Sequence, residues 1–317
     1  MKGGTINMAL VTTKEMFKKA YEGGYSIGAF NINDMEIIQG VINGAKARNS
    51  AVILQCSTGA IKYAGAKYLK AMVDAAIAET GVDVALHLDH GPSFEAVKEV
   101  IDAGFTSVMF DGSHFDYEEN VKRTKEVVDY AHARGVVVEA ELGVLAGVED
   151  DVVADSHVYT DPEQAVDFVN RTGVDSLAIA IGTSHGAVKF PPDAKPELKF
   201  NILEEIQAKL PGYPIVLHGA SAVDANTVAT CNEFGGKIAN AKGIPVDMLR
   251  KASSMAVCKI NMDTDIRLAM TAAIRKTFGE KPEVFDPRAY LGAARTAIQE
   301  VVESKIDNIL GSADSMK

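Results

Sequence analysis

From about residue 25 onward, short apolar runs alternate with longer segments whose apolar residues recur every three or four positions. The runs predict strands near 25–32, 51–56, 84–90, 107–112, 136–142, 176–185, 214–218 and 256–262. The amphipathic segments predict helices near 34–48, 66–80, 93–103, 117–134, 161–172, 201–209, 224–234, 265–278 and 287–309. Thr13 precedes a further helix with Met16, Phe17 and Ala20 on one face, Asp116 can cap 117–134, and Gly135 follows that helix. Repeated βα units argue for a parallel sheet, and about eight of them in a chain of 317 residues argue for a closed (β/α)8 TIM barrel. An open doubly wound sheet is the competing architecture. Against it, no Gly-x-Gly-x-x-Gly turn follows the first strand, and polar residues recur at nearly every strand end. The expectation is a single (β/α)8 barrel domain over 9–317 with an extra C-terminal helical segment, preceded by a tag-like or disordered stretch 1–8. The segment 232–255 is longer than a barrel connection needs and reads as an insertion.

Composition narrows the function classes. Apolar residues make up 47% and charged residues 24%, which is globular, and no apolar run approaches the roughly 18 residues of a membrane span. No secretory-type leader is visible, so a cytoplasmic location is expected. Cys56, Cys231 and Cys258 are odd in number and sit in apolar runs, which favours buried thiols over disulfides or a cysteine zinc site. The net charge of −11 disfavours nucleic acid or an anionic membrane as partner. An anionic small molecule would need locally placed cations, backbone N–H groups or a metal.

The strand ends carry the candidate chemistry. The run Val84-Ala85-Leu86 leads into His87-Leu88-Asp89-His90-Gly91. Strand periodicity puts His87 and Asp89 on one face and Leu88 and His90 on the other, so a bend is needed if Asp89 and His90 share a site; Gly91-Pro92 can supply it. Taken alone, this reads as hydrogen-bonded histidines at a strand terminus. Two more strands, however, end in His185-Gly186 and His218-Gly219, and a barrel gathers the carboxyl ends of its strands on one face. There the strand ends would bring together Asn31, Gln55, Ser57, Asp89, His90, Asp111, Glu139, Glu141, His185, His218, Asn261, Asp263 and Arg267. Three imidazoles from separate strands, His90, His185 and His218, form a good zinc set that leaves a coordination position open. Asp111 and Glu141 can orient the ring N–H groups or serve as occasional ligands; ordinary salt bridging at the rim is the plainer alternative. Gly186, Gly219 and Ser221 let backbone approach an anion, Lys189 and Arg267 add charge, and Ser57 adds a hydroxyl.

Six ordered motifs then carry a resemblance. These are His87-Leu88-Asp89-His90-Gly91, Asp111-Gly112-Ser113-His114, Glu139-Ala140-Glu141-Leu142-Gly143, Gly182-Thr183-Ser184-His185-Gly186, Leu217-His218-Gly219-Ala220-Ser221 and Lys259-Ile260-Asn261-Met262-Asp263-Thr264-Asp265. Over about residues 9–310 the chain resembles the class II ketose-bisphosphate aldolases, and within them the class IIB fructose-1,6-bisphosphate aldolases. The resemblance implies a zinc-dependent barrel of glycolysis and gluconeogenesis that cleaves fructose 1,6-bisphosphate to dihydroxyacetone phosphate and glyceraldehyde 3-phosphate. It also implies a homodimer or homotetramer. By the same resemblance His90, His185 and His218 are the zinc ligands, Asp89 handles the C4 hydroxyl proton, and Glu149, in the loop after the fifth strand, exchanges a proton at C3. Gly186, Lys189, Gly219 and Ser221 match the first phosphate site, with a monovalent cation, Na⁺ or K⁺, nearby. Ser57 and Arg267 match the second, Asn261, Asp263 and Thr264 match further substrate contacts, and Arg288 matches an arginine lent by the partner subunit. Ala146 departs from a glycine common in the family's loop.

Three other readings compete. Tagatose 1,6-bisphosphate, which differs in configuration at C4, is the alternative substrate on the same scaffold; Asp263 beside Arg267 favours fructose, unless Asp263 merely orients that arginine. A Schiff-base aldolase would use Lys259 and leave the three His-Gly strand ends unexplained. A catalytically inactive assembly subunit is disfavoured by intact Asp89, Glu149 and histidines.

Overall fold

The structure is a computed structural model that describes residues 10–145, 147–149, 152–154, 158–184, 190, 195–239 and 242–317, with the backbone alone at 148–149 and 152–154. Its strands are β1 (Ile27–Asn31), β2 (Val52–Cys56), β3 (Val84–Gly91), β4 (Ser107–Phe110), β5 (Val137–Leu142), β6 (Gly147–Glu149), β7 (Val152–Ala154), β8 (Ser176–Ile179), β9 (Ile215–Leu217) and β10 (Val257–Met262). The helices are α1 (Thr13–Gly23), α2 (Met35–Ala47), α3 (Thr58–Ala64), α4 (Ala66–Thr80), α5 (Phe94–Asp102), α6 (Tyr117–His132), α7 (Pro162–Thr172), α8 (Phe200–Lys209), α9 (Ala225–Glu233), α10 (Val246–Ser253), α11 (Thr264–Glu280) and α12 (Pro287–Lys305), the last followed by a π-helical turn, Ile306–Leu310. Strands β1 to β5 and β8 to β10 pair in parallel and close into a barrel in that order, β10 returning to β1. Strands β6 and β7 form a separate antiparallel hairpin. Among the described residues no helix is long and apolar enough to cross a membrane.

Side-chain parity organises the interior. Val52, Leu54 and Cys56, then Val84, Leu86 and Leu88, point outward into the layer between sheet and helices. The alternate positions point into the barrel. Towards its N-terminal end these are apolar, with Ile27, Ala29, Ile53 and Ala85 packed on Met16, Phe17 and Ala20 of α1, which closes that end; Cys258 joins them at the register irregularity between Val257 and Lys259. Towards the other end the same parity carries Asn31, Gln55, His87, Asp89, Glu139, Lys259 and Asn261, all buried and polar. A barrel interior is filled by side chains, so the change from apolar to polar along each strand decides which end can host chemistry.

Local signals explain the helix starts. Asp34, Ser57, Ser93, Asp116, Asp161 and Asp224 each stand just before a helix and accept a hydrogen bond from a backbone N–H in its first turn. The extra C-terminal helix α12 lies on α2, where Gly40 and Gly44 leave room for Ile298 and Val302; a Cβ on either glycine would come within 2.8 Å of those side chains.

Several boundaries differ from expectation. Helix α1 begins at Thr13 itself, with Thr12 in the capping position but making no side-chain cap bond. Short helices α3 and α10 and the β6–β7 hairpin were not legible, because such short segments carry too few periods to show. Strand β8 ends at Ile179 rather than near 185, and the final helix passes into the π turn at Ile306. The segment 232–255 contains α10, and Gly243 packs so closely on the turn after β9 that a Cβ there would lie 2.2 Å from the Ser221 carbonyl oxygen. Residues 1–8 lie outside the described residues.

Candidate active site

The C-terminal face gathers its groups through one unusual backbone angle. His90 adopts φ +46°, in the left-handed region, and the β3–β4 register shifts between Leu88 and Gly91. The bend that brings His90 to the same side as Asp89 is therefore at His90 itself, not at Gly91-Pro92. Gly91 serves a different purpose, since a Cβ there would lie 2.4 Å from the Met109 carbonyl oxygen of the adjoining strand.

Two imidazoles meet at this point. His90 Nε2 lies 2.9 Å from His218 Nδ1. The far nitrogen of each ring donates to a buried carboxylate: His90 Nδ1 to Asp111 Oδ2 at 2.7 Å, and His218 Nε2 to Glu139 Oε1 at 2.7 Å. These bonds fix which nitrogen of each ring carries the proton and turn the two remaining lone pairs towards each other. Facing lone pairs repel unless a cation, a proton or a metal lies between them. With Asp89, the two rings put three ligand atoms within 4.8 Å of one another, and His90, Asp111 and Glu141 form a second such group. The donor set, nitrogen and carboxylate oxygen with oriented rings, fits a zinc-type ion.

Electrostatics follow from these neighbours. Burial alone would lower the pKa of His90, but the charges of Asp89 and Asp111 hold it well above the usual imidazole value. His218 and His87 are depressed, chiefly by burial, with Lys259 adding to the effect in each. Burial disfavours the charged forms of Asp111 and Glu139, yet the His90 bond keeps Asp111 well below the usual carboxylate range, and Lys259 and His218 do the same for Glu139.

Below the two rings lies a closed polar network. Lys259 Nζ donates to both oxygens of Glu139, at 3.0 and 2.8 Å, and reaches His87 Nε2 at 3.3 Å, while His87 Nδ1 bonds Ser107 Oγ at 2.7 Å. Lys259 is fully buried in this ion pair, which removes it as a Schiff-base nucleophile open to substrate. The orienting carboxylate on His218 is thus Glu139, to which the sequence reading gave no such role, while Glu141 shares a possible ligand group with His90 and Asp111.

Asp89 sits in a cage of amides. Asn31 Nδ2 and Gln55 Nε2 donate to Oδ2 at 2.9 and 3.0 Å, and Asn261 Nδ2 donates to Oδ1 at 3.1 Å. Asn261 also reaches His218 Nδ1 at 3.1 Å, joining the acid to the rings. Asn31 and Gln55 had no role assigned from sequence. Their signal was present, since both are polar residues on the inward parity of apolar strands.

The remaining residues divide. Gly219 has φ +60°, and a Cβ would lie 2.5 Å from the Ser184 carbonyl oxygen, so the turn after β9 needs glycine there. Ser221 is buried in that turn. Ser57 caps α3 through Ala60 N. Asp263 precedes α11, whose first residue is Thr264, and accepts from Arg267 Nε at 2.8 Å, so the two charges act as a pair. Arg288, at the start of α12, has a 90% exposed side chain that pairs with Asp286 of its own chain; it is not brought to the strand-end cluster. His185, Gly186, Lys189, Ala146 and the side chain of Glu149 lie outside the described residues.

A closed (β/α)8 barrel that gathers histidines and carboxylates able to hold a metal ion at its C-terminal face has the architecture of a barrel enzyme. Residues 11–315 match the family described as fructose-bisphosphate aldolase class-II, and the chain belongs to that family of lyases. It is 50% identical over 323 residues to the fructose-bisphosphate aldolase of Treponema pallidum, covering 96% of this chain and 97% of that protein. To the fructose-bisphosphate aldolase of Giardia intestinalis it is 49% identical over 307 residues, covering 96% and 94%. Among solved structures, the YdjI aldolase of Escherichia coli superposes with a TM-score of 0.78 at 30% identity, covering 98% of this chain and all of that one.

Proposed function

We propose that this enzyme reversibly cleaves fructose 1,6-bisphosphate to dihydroxyacetone phosphate and glyceraldehyde 3-phosphate, with one zinc ion held by His90, His218 and His185. The observation that carries the reading is the 2.9 Å approach of two imidazole nitrogens whose outer N–H groups are committed to Asp111 and Glu139. A zinc ion bound there would supply Lewis-acid stabilisation for the negative charge left when the C3–C4 bond breaks.

The chain's own groups do the rest. A carboxylate offers about four acceptor positions. Three amide hydrogens occupy all but one on Asp89, leaving a place for the C4 hydroxyl proton and fixing the direction of its transfer. Glu149, in the β6–β7 hairpin, would move the proton at C3 of the triose phosphate. Gly219 and Ser221, with Gly186 and Lys189, would receive the first phosphate, beside a monovalent cation on backbone carbonyls. Ser57 and Arg267 would receive the second, with Asn261, Asp263 and Thr264 contacting the sugar. Binding at both ends holds the reacting bond over Asp89, so affinity for the phosphates supports the chemical step.

The same reading makes 9–317 one catalytic unit of a cytoplasmic homodimer or homotetramer, in which Arg288 reaches a neighbouring subunit's site. The test is inactivation by chelator and rescue by zinc, assayed on fructose and tagatose bisphosphates. Zinc-restored activity with a preference for the fructose sugar is expected. Full activity in metal-free protein would overturn the metal reading, and a tagatose preference would overturn the substrate.

A further inference from the structure

The turn that links β9 to α9 carries His218, Gly219 and Ser221, and it is held from outside the barrel. Asp265, the second residue of α11, turns away from its own helix. Its Oδ1 accepts from Val223 N at 2.8 Å and its Oδ2 from Ala222 N at 3.1 Å. Lys305, the last residue of α12, places Nζ 2.7 Å from the same Oδ2, with both side chains nearly buried. Val223, a β-branched residue, has φ +51°, which such residues avoid unless their surroundings impose it. The other two sides of the turn are fixed as well, by Ser184 against Gly219 and by Gly243 against Ser221 and Ala222.

We propose that Asp265 and Lys305 form a clamp that holds this turn in its anion-receiving shape, so that the end of the C-terminal helix α12 positions the first phosphate site. A carboxylate accepting two consecutive backbone N–H groups dictates the path of the turn. Lys305 offsets the cost of burying that carboxylate, which otherwise would favour a rearranged turn. The turn and α11 border a cavity of about 730 Å³ lined also by Lys305, and among the described ion pairs the cation on Asp265 is this lysine of α12. The role is one of positioning, acting through the turn and not on substrate.

The inference rests on the reading of Gly219 and Ser221 as a phosphate site, and the experiment separates the two. Dihydroxyacetone phosphate binding would be measured calorimetrically on zinc-loaded wild type, Asp265→Asn, Lys305→Met, Lys305→Arg and Ser221→Ala, together with kcat, KM, melting temperature and zinc content. Lys305→Met and Asp265→Asn should bind the triose phosphate about tenfold more weakly. They should raise KM more than they lower kcat and keep one zinc per subunit, while Lys305→Arg, which keeps the cation on Asp265, should bind nearly as tightly as wild type. A residue that only stabilised the fold would lower the melting temperature without that KM and kcat split. Weakened binding in Ser221→Ala beside wild-type binding in Asp265→Asn and Lys305→Met would overturn the clamp and leave the phosphate reading standing. Wild-type binding in Ser221→Ala would overturn both. Hydrogen exchange on the wild-type enzyme needs no variant to fold: slow exchange at Ala222 and Val223 is expected, and rapid exchange at these amides overturns the clamp.

Discussion

Replacing Glu139 by Gln separates the two things this carboxylate does, which are to neutralise Lys259 and to orient His218. Lys259 and Glu139 are both buried, with the ammonium 2.8 Å and 3.0 Å from the two carboxylate oxygens. Removing one partner of such a pair leaves an uncompensated buried charge and costs about 3–5 kcal/mol. His87 offers the ammonium only a neutral ring nitrogen at 3.3 Å, which does not replace the lost charge. At roughly 2 °C per kcal/mol for a chain of this length, the metal-free variant should melt about 6–10 °C below wild type. Exchange of the charged acceptor on His218 for a neutral amide oxygen should independently weaken zinc about tenfold or more, measured by competition with a chromogenic chelator.

The double variant Glu139→Gln, Lys259→Met distinguishes these effects. With both charges gone the buried-charge penalty disappears, so calorimetry should find most of the lost melting temperature regained. Zinc affinity should stay low, because His218 still lacks its carboxylate. A single variant that melts within 2 °C of wild type, or a double variant less stable than the single one, would refute the reasoning about charge. Wild-type zinc affinity in either variant would refute the assignment of Glu139 to His218.

Two further outcomes test the local geometry. Gly91→Ala should cost about 1–3 kcal/mol in urea unfolding, because its Cβ would lie 2.4 Å from the Met109 carbonyl oxygen of a paired strand; an unchanged midpoint would deny that contact. Asp224 caps α9, and although burial opposes its ionisation, its bonds from Thr227 hold the folded carboxyl below the ordinary 3.8. A depressed folded pKa means that its stabilisation is full above that ordinary value and is lost as pH falls below it. Asp224→Ala should therefore cost about 1 kcal/mol at pH 7 and distinctly less near pH 3, and an equal cost at both would refute the charged cap.

Short apolar runs separated by amphipathic segments were enough to recover the barrel strands of this chain, because a parallel strand buried on both faces reads as an apolar run whatever its partner. The helix cap at Asp116 was equally local, needing only the next three residues. The i, i+4 pair of Asp263 and Arg267 was legible for the same reason. Aspartate, histidine and asparagine at strand ends announced a site, since polar residues on an inward parity have nowhere else to go.

Choices that span the barrel belonged to tertiary structure. Glu139 and Glu141 share one parity on β5, so only the stagger between strands decides that Glu139 meets His218 and Lys259, which lie 79 and 120 positions away. Periodicity placed His90 on the wrong face because it assumes extended backbone, and the left-handed angle that corrects it falls where the register against β4 shifts. Asp265 reads from sequence as an acidic residue in a helix's first turn. Its engagement with Ala222, Val223 and Lys305 exists only because α11 and α12 fold back beside the turn after β9. Sequence sets which groups are polar and which way each local element faces; the closure and stagger of the barrel set which of those groups touch, because contacts across strands depend on register, which no local pattern encodes.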